Sequence, residues 1–138
     1  MRRKSLVLVG VFTLLLVSGC SQGSAGVGLL DEPATADRTL PADLYGGDVE
    51  PDSARFVAEY EGISYFLAKP AEPGMANGVC LVAMETESIA CGGPSSDATQ
   101  LVSLDTAGTE ARVVRDGTDT TDLTDEGWTQ IHENLLLR

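Results

Sequence analysis

The alternation of apolar and polar residues across positions 54–69 constrains this chain more than any other feature. Ala54-Arg55-Phe56-Val57-Ala58-Glu59-Tyr60 alternates with period two, and so does Ile63-Ser64-Tyr65-Phe66-Leu67-Ala68-Lys69. Glu61-Gly62 lies between them, a two-residue connection with glycine where a tight hairpin turn needs positive φ. Pairing Tyr60 with Ile63 puts Phe56, Ala58 and Tyr60 on the same face as Ile63, Tyr65 and Leu67, because register fixes side-chain parity. Six apolar residues then share one face of a hairpin.

The pattern recurs further along the chain. Residues 78–84 form an apolar run, followed by Glu85-Thr86-Glu87 and then Ser88-Ile89-Ala90-Cys91. Cys80 and Cys91 are equidistant from the centre of that turn. Folding a hairpin there pairs Cys80 with Cys91 and Val82 with Ile89, all four on one face. Gly92-Gly93-Pro94-Ser95-Ser96 reads as a loop. Gln100-Leu101-Val102-Ser103-Leu104 and Glu110-Ala111-Arg112-Val113-Val114 make another strand pair around Thr106-Ala107-Gly108, ended by Asp116-Gly117. Residues 120–127 predict one acidic helical turn stopped by Gly127. Residues 128–137 fit two templates: a helix stripe of Trp128, Ile131, Leu135 and Leu136, or a strand face of Ile131, Leu135 and Leu137. The strand is preferred because the segment is short, contains Asn134 and follows a run of hairpins. Short strands of this kind with few helices predict a mainly β (or α+β) domain, a small antiparallel sheet or sandwich built from hairpins. Aromatic residues are only 5% of the chain, so its core depends on Val, Leu, Ile and Ala.

The N-terminus has a different character. Arg2-Arg3-Lys4 precedes LVLVGVFTLLLV, twelve uncharged residues at 6–17, and Val17-Ser18-Gly19-Cys20 completes the segment. Twelve residues fall short of the roughly 20 needed to span a bilayer and within the roughly 7–15 of a signal-peptide core. Residues 1–20 resemble the bacterial lipoprotein signal family, whose lipobox is an aliphatic residue, two small residues and an obligatory cysteine. The resemblance implies that Cys20 receives a diacylglyceryl group through a thioether and that a dedicated peptidase cuts between Gly19 and Cys20. It also implies acylation of the new amino terminus, palmitate being a typical chain. A thiolate is a strong nucleophile, and two acyl chains hold a protein stably where one holds it marginally. The expected location is the outer face of the cell membrane, with the outer membrane of a two-membrane cell also compatible. GVCLVA, the second body cysteine and the terminal GWTQIHENLLLR resemble small uncharacterised lipoproteins of actinobacteria, a likeness that implies no particular activity.

Export changes how the other two cysteines read. An oxidising compartment favours disulfides, and with Cys20 taken by lipid an even pair, Cys80 and Cys91, remains. Two buried free thiols are the alternative. Charge narrows the partners. The whole chain carries a formal −12; loss of residues 1–19, with Arg2, Arg3 and Lys4, leaves 6 basic against 21 acidic residues, a formal −15. Such a body repels nucleic acid, whose binding depends on Lys and Arg neutralising phosphates. It is also repelled by an anionic membrane surface, so the lipid rather than charge must attach it. Residues 20–51, rich in small and acidic residues with Pro33, Pro41 and Pro51, read as a lipidated N-terminus and flexible acidic tether. One helical turn is expected at Pro41-Ala42-Asp43-Leu44-Tyr45-Gly46. The organisation expected is a signal peptide over 1–19, the tether over 20–51 and an extracytoplasmic β domain over 52–138.

The sequence holds no catalytic constellation. His132 is the single histidine, no G-x-S-x-G elbow exists, and Gly92-Gly93 lacks the lysine and helix of a phosphate loop. One histidine and a cysteine pair leave too few ligands for zinc. Asp116, Asp119, Asp122 and Asp125 recur every three residues, but an EF-hand begun at Asp116 puts Thr118, Thr120 and Gly127 at ligand positions, so that pattern fails. Trp128, the lone Trp, is either partly buried core or a ligand contact on an exposed face. No cofactor and no metal are expected. The reading is a membrane-anchored lipoprotein with a non-catalytic binding or accessory domain, its partners being the bilayer and an envelope protein or small ligand. A carboxylate-dependent hydrolase and a structural envelope protein are the alternatives.

Overall fold

The computed structural model describes residues 24–36, 38–45, 47–93 and 99–138. The expectations resting on Arg2-Arg3-Lys4, Gly19 and Cys20 lie outside these residues. Strands β1 (Arg55–Tyr60) and β2 (Ile63–Ala68) form the predicted hairpin. Glu61 (φ 50°) and Gly62 (φ 80°) both take positive φ, the turn geometry whose twist matches that of paired strands. Tyr60 faces Ile63 and Ala58 faces Tyr65, but the register then shifts between Phe56 and Ala58. This bulge adds a residue to one strand only and so reverses parity beyond it. Phe56 therefore lies opposite Phe66, rather than sharing a face with Tyr65 and Leu67 as the uniform alternation predicts. Tyr65 and Leu67 enter the inner core with Val57, Tyr60 and Ile63 beside them. Phe56 and Phe66 meet edge to face on the opposite side, with ring centroids 5.6 Å apart.

Strands β3 (Val79–Ala83) and β4 (Ser88–Gly92) pair Cys80 with Cys91 and Val82 with Ile89, the register read from the sequence. The two sulfurs are bonded, with Cα atoms 4.0 Å apart, so the alternative of free thiols does not hold. Strands β5 (Gln100–Thr106) and β6 (Thr109–Val114) turn through Ala107 and Gly108, again both at positive φ. Helical turns α1 (Ala42–Tyr45) and α2 (Thr121–Asp125) fall where expected. Gly127, just past α2, has φ 95°. Residues 128–137 differ from the single strand preferred above. They form a hairpin of β7 (Thr129–His132) and β8 (Leu135–Leu137), turning at Glu133-Asn134.

Among the described residues eight strands make two antiparallel four-stranded sheets, in the orders β1-β2-β3-β4 and β5-β6-β8-β7. β4 lies beside β5 and β1 beside β7, so both edges of one sheet meet edges of the other. Gly92 is required at the first of these corners, because a Cβ there would strike the Leu101 carbonyl oxygen. Alternate residues point inward: Tyr65, Leu67, Val79, Leu81, Ala111, Val113, Leu135 and Leu137 fill the space between the sheets. Their neighbours in the chain point outward into two smaller clusters. Phe66, Ala68, Cys80 and Val82 are covered by Tyr45 and Val49. Val114, Leu136 and Trp128 are covered by Leu123 of α2. The second sheet face is thus not left wet, as a single-layer hairpin stack would leave it.

The largest departure from expectation lies in the segment read as a tether. Val27 (0% exposed) and Leu30 (1%) are part of the inner core. The Gly28 amide donates to Asp116 Oδ2 (2.7 Å), and the Asp116 amide donates to the Gly26 carbonyl (2.9 Å). Arg55 Nε donates to the Glu32 carbonyl (2.6 Å), and Lys69 Nζ lies 3.5 Å from Asp31 Oδ1. Farther on, Tyr45 and Val49 are buried against the outer face of the first sheet, and Val49 bridges to Pro70. The folded body therefore includes Val27, Leu30, Tyr45 and Val49 and is not confined to residues from 52 onward. The composition of 21–51 is poor in apolar residues, but Val27 and Leu30 pack into the inner core and Tyr45 and Val49 onto the outer face of the first sheet. Among the described residues no helix is long and apolar enough to cross a membrane.

Candidate binding groove

A concavity lined by apolar groups and by charges of both signs lies outside the second sheet, where the chain leaves β6 and enters α2. Its wall on the sheet side is Arg112 and Val114 of β6, with Thr99 and Gln100 at the start of β5. Its other wall is the 115–119 connection and the Asp122 and Leu123 side of α2. The cavity is about 610 Å³, within the range of roughly 300–1,000 Å³ typical of small-molecule sites. Val114 and Leu123 give it an apolar floor, and Arg112, Arg115, Asp116, Asp119 and Asp122 bring charges of both signs.

Local chemistry fixes most of these groups. Asp116 is committed twice: Oδ2 accepts from the Gly28 amide, and Oδ1 accepts from Asn134 Nδ2 at 2.7 Å. Asp119 accepts from both the Thr121 amide (3.0 Å) and the Thr121 hydroxyl (2.7 Å), opening α2 with an Asx-type turn. Those two bonds hold its carboxyl below the usual carboxylate range. Asp122, in the first turn of α2, has no side-chain partner of this kind among the described residues and lines the groove. Arg112 lies with its guanidinium carbon 4.1 Å from the centre of the Trp128 ring, and Arg138 approaches the same ring at 4.7 Å. Glu110 holds both cations, Arg138 at 2.7 Å and Arg112 at 3.7 Å. The Arg112 Nε–H is buried and finds no acceptor among the described residues, an expensive condition for a donor in a wall.

The residues singled out from the sequence are dispersed by the fold. Cys80 and Cys91 sit on the first sheet, on its outer face, and have no part in the groove. Trp128, a candidate ligand contact, is only 3% exposed. It is the support on which Arg112 rests, not a surface offered to a ligand. His132 accepts from the Asn134 amide at Nδ1 (3.2 Å) and so shapes the β7–β8 turn. Three of the four evenly spaced aspartates, Asp116, Asp119 and Asp122, do line one cavity, and Asp125 does not. Among the described residues no three His, Cys, Asp or Glu side chains converge as metal ligands. Sequence reasoning missed Arg112 altogether. Its only signal was a positive charge between the apolar residues Ala111 and Val113 of β6. Comparison with known proteins finds no matching family model, no matching curated protein and no matching solved structure.

Proposed function

We propose that this chain is an exported lipoprotein, held on the outer face of the cell membrane by a diacylglyceryl thioether on Cys20, whose β-sandwich is a non-catalytic binding domain. The observation that carries the reading is the order basic residues, twelve uncharged residues, Val17-Ser18-Gly19-Cys20. The Cys80–Cys91 bond supports it, because it leaves Cys20 as the one cysteine of three outside a disulfide. The early start of the folded body changes the geometry of attachment. Four residue steps separate Cys20 from Ser24, at most about 14 Å of extended chain. The domain is therefore held close to the headgroups by the end that Val27 and Leu30 plug. Asp119 is unsuited to the role of general acid, which needs a raised pKa, because its carboxyl is pushed the other way by its two bonds to Thr121.

Mass spectrometry of the N-terminal peptide from membranes tests the anchor. The expected result is a peptide beginning at Cys20 and carrying diacylglyceryl mass, with no lipid on a Cys20→Ser variant. A wild-type peptide with an unmodified thiol at position 20 defeats the reading.

A further inference from the structure

We propose that the groove between β6 and α2 binds a small zwitterion, taking an anionic group at Arg112 and an ammonium at Asp122. The inference rests on reading the domain as a binding module and names the class of ligand. Arg112 is held ready by two contacts that do not use up its donors: the Trp128 face beneath its guanidinium and a loose 3.7 Å approach to Glu110. The Arg112 side chain borders the groove and is 22% exposed, and a carboxylate or phosphate oxygen there would accept from its terminal guanidinium N–H groups. Guanidinium donors in a fixed fork suit both groups.

The three aspartates are not equivalent. Asp116 and Asp119 each already accept two hydrogen bonds from the protein. The Asp122 carboxylate accepts none among the described residues and lines the same cavity. A bare anion would meet one cation wall and an excess of aspartates. A bare cation would meet Arg112 and Arg115. A ligand with both charges matches both walls, and Val114 and Leu123 leave room for a short apolar body between them. Two sources share this chemistry: a free amino acid or short peptide, and an ethanolamine phospholipid headgroup of the anchoring membrane. The groove adjoins the N-terminal plug through Asp116 and Gly28, so both can reach it.

The test is titration of the purified full chain in detergent with alanine, O-phosphoethanolamine, acetate and ethylamine, followed by calorimetry and Trp128 emission. Vesicles of phosphatidylethanolamine or phosphatidylglycerol, presented to the same protein, separate the headgroup source from the free one. Binding of alanine, O-phosphoethanolamine or the ethanolamine vesicles supports the proposal when acetate and ethylamine bind at least about tenfold more weakly. Asp122→Asn and Arg112→Gln should each weaken the zwitterion by about tenfold or more, the usual worth of a charge-assisted hydrogen bond. Asp122 is on an exposed helical turn, so its variant keeps the test valid if Arg112→Gln disturbs Trp128. No binding of any zwitterion, equal binding of acetate or ethylamine alone, or an unchanged affinity in Asp122→Asn overturns the proposal. Lipid on Cys20 is read separately, so the anchor and the ligand class stand or fall independently.

Discussion

Asp116 and Asn134 join three segments that are far apart in the chain. Asn134 is fully buried, and its Nδ2 donates to the Val114 carbonyl (3.1 Å) and to Asp116 Oδ1. Asp116 in turn holds Gly28. Replacing Asn134 with Ala removes the shared donor and leaves the buried Val114 carbonyl short of a partner while exposed Asp116 turns to water, at a cost of about 1–3 kcal/mol. Urea unfolding should show the lower midpoint; an unchanged midpoint would mean the network carries no weight. Glu85 acts at a smaller scale, on the first sheet. Burial opposes its charge, but the Ser64 amide and hydroxyl (2.9 Å to Oε1) outweigh that and hold the carboxyl below its usual range. A lowered folded pKa gives stability that is present above the unfolded-state pKa and lost as pH falls through the folded one. Glu85→Gln should therefore destabilise at neutral pH by about 1 kcal/mol or less, given its exposure. Thermal melts should show that difference vanishing in acid well below the carboxylate range.

At the scale of elements, the N-terminal plug is the segment whose role is least expected. Its 3-10 turn over Gly28–Asp31 is too short to be stable alone, and packing must hold it. Leu30→Ala leaves a cavity in the inner core and should cost about 2–5 kcal/mol. Val27→Asp should cost more, since it buries a carboxylate. Proteolysis gives an independent readout: the wild-type chain should resist cleavage across 24–32, and Val27→Asp should be cut there. A flexible tether predicts neither effect. The β7–β8 hairpin shows the same dependence on context. Its strands are four and three residues long, and a hairpin of that size gains independent stability only from what it packs on. Leu135 and Leu137 supply that on the inner side, and Leu136 on the outer.

For the molecule as a whole, the two sheets share one core and meet along both pairs of edges. Val27 and Leu30 touch the same cluster as residues of both sheets. Unfolding should therefore be a single cooperative transition. Trp128 emission reports the second sheet, and far-ultraviolet circular dichroism reports both; the two melting curves should coincide. A separate, earlier loss of Trp128 signal would mean that the sheets are independent units.

Much of this architecture was legible in residue order. Period-two alternation, Glu61-Gly62, Ala107-Gly108 and the symmetric placement of Cys80 and Cys91 specify three hairpins and their disulfide, because side-chain parity and turn geometry are local properties. The lipobox reading of Cys20 is also purely a matter of residue order. Three things were decided only by tertiary structure. A bulge before Ala58 moved Phe56 to the other face, since an added residue changes parity without changing composition. Asn134 turned one apparent strand into two, since its side chain finds a buried partner only when Val114 is beside it. Val27, Leu30, Tyr45 and Val49 joined the domain, since a segment too polar to fold alone is still held when a few apolar side chains pack on sheets made by others. The groove belongs to this second class: Arg112 and Asp122 are ten positions apart and share no motif, and only the packing of α2 beneath the second sheet brings them to one cavity.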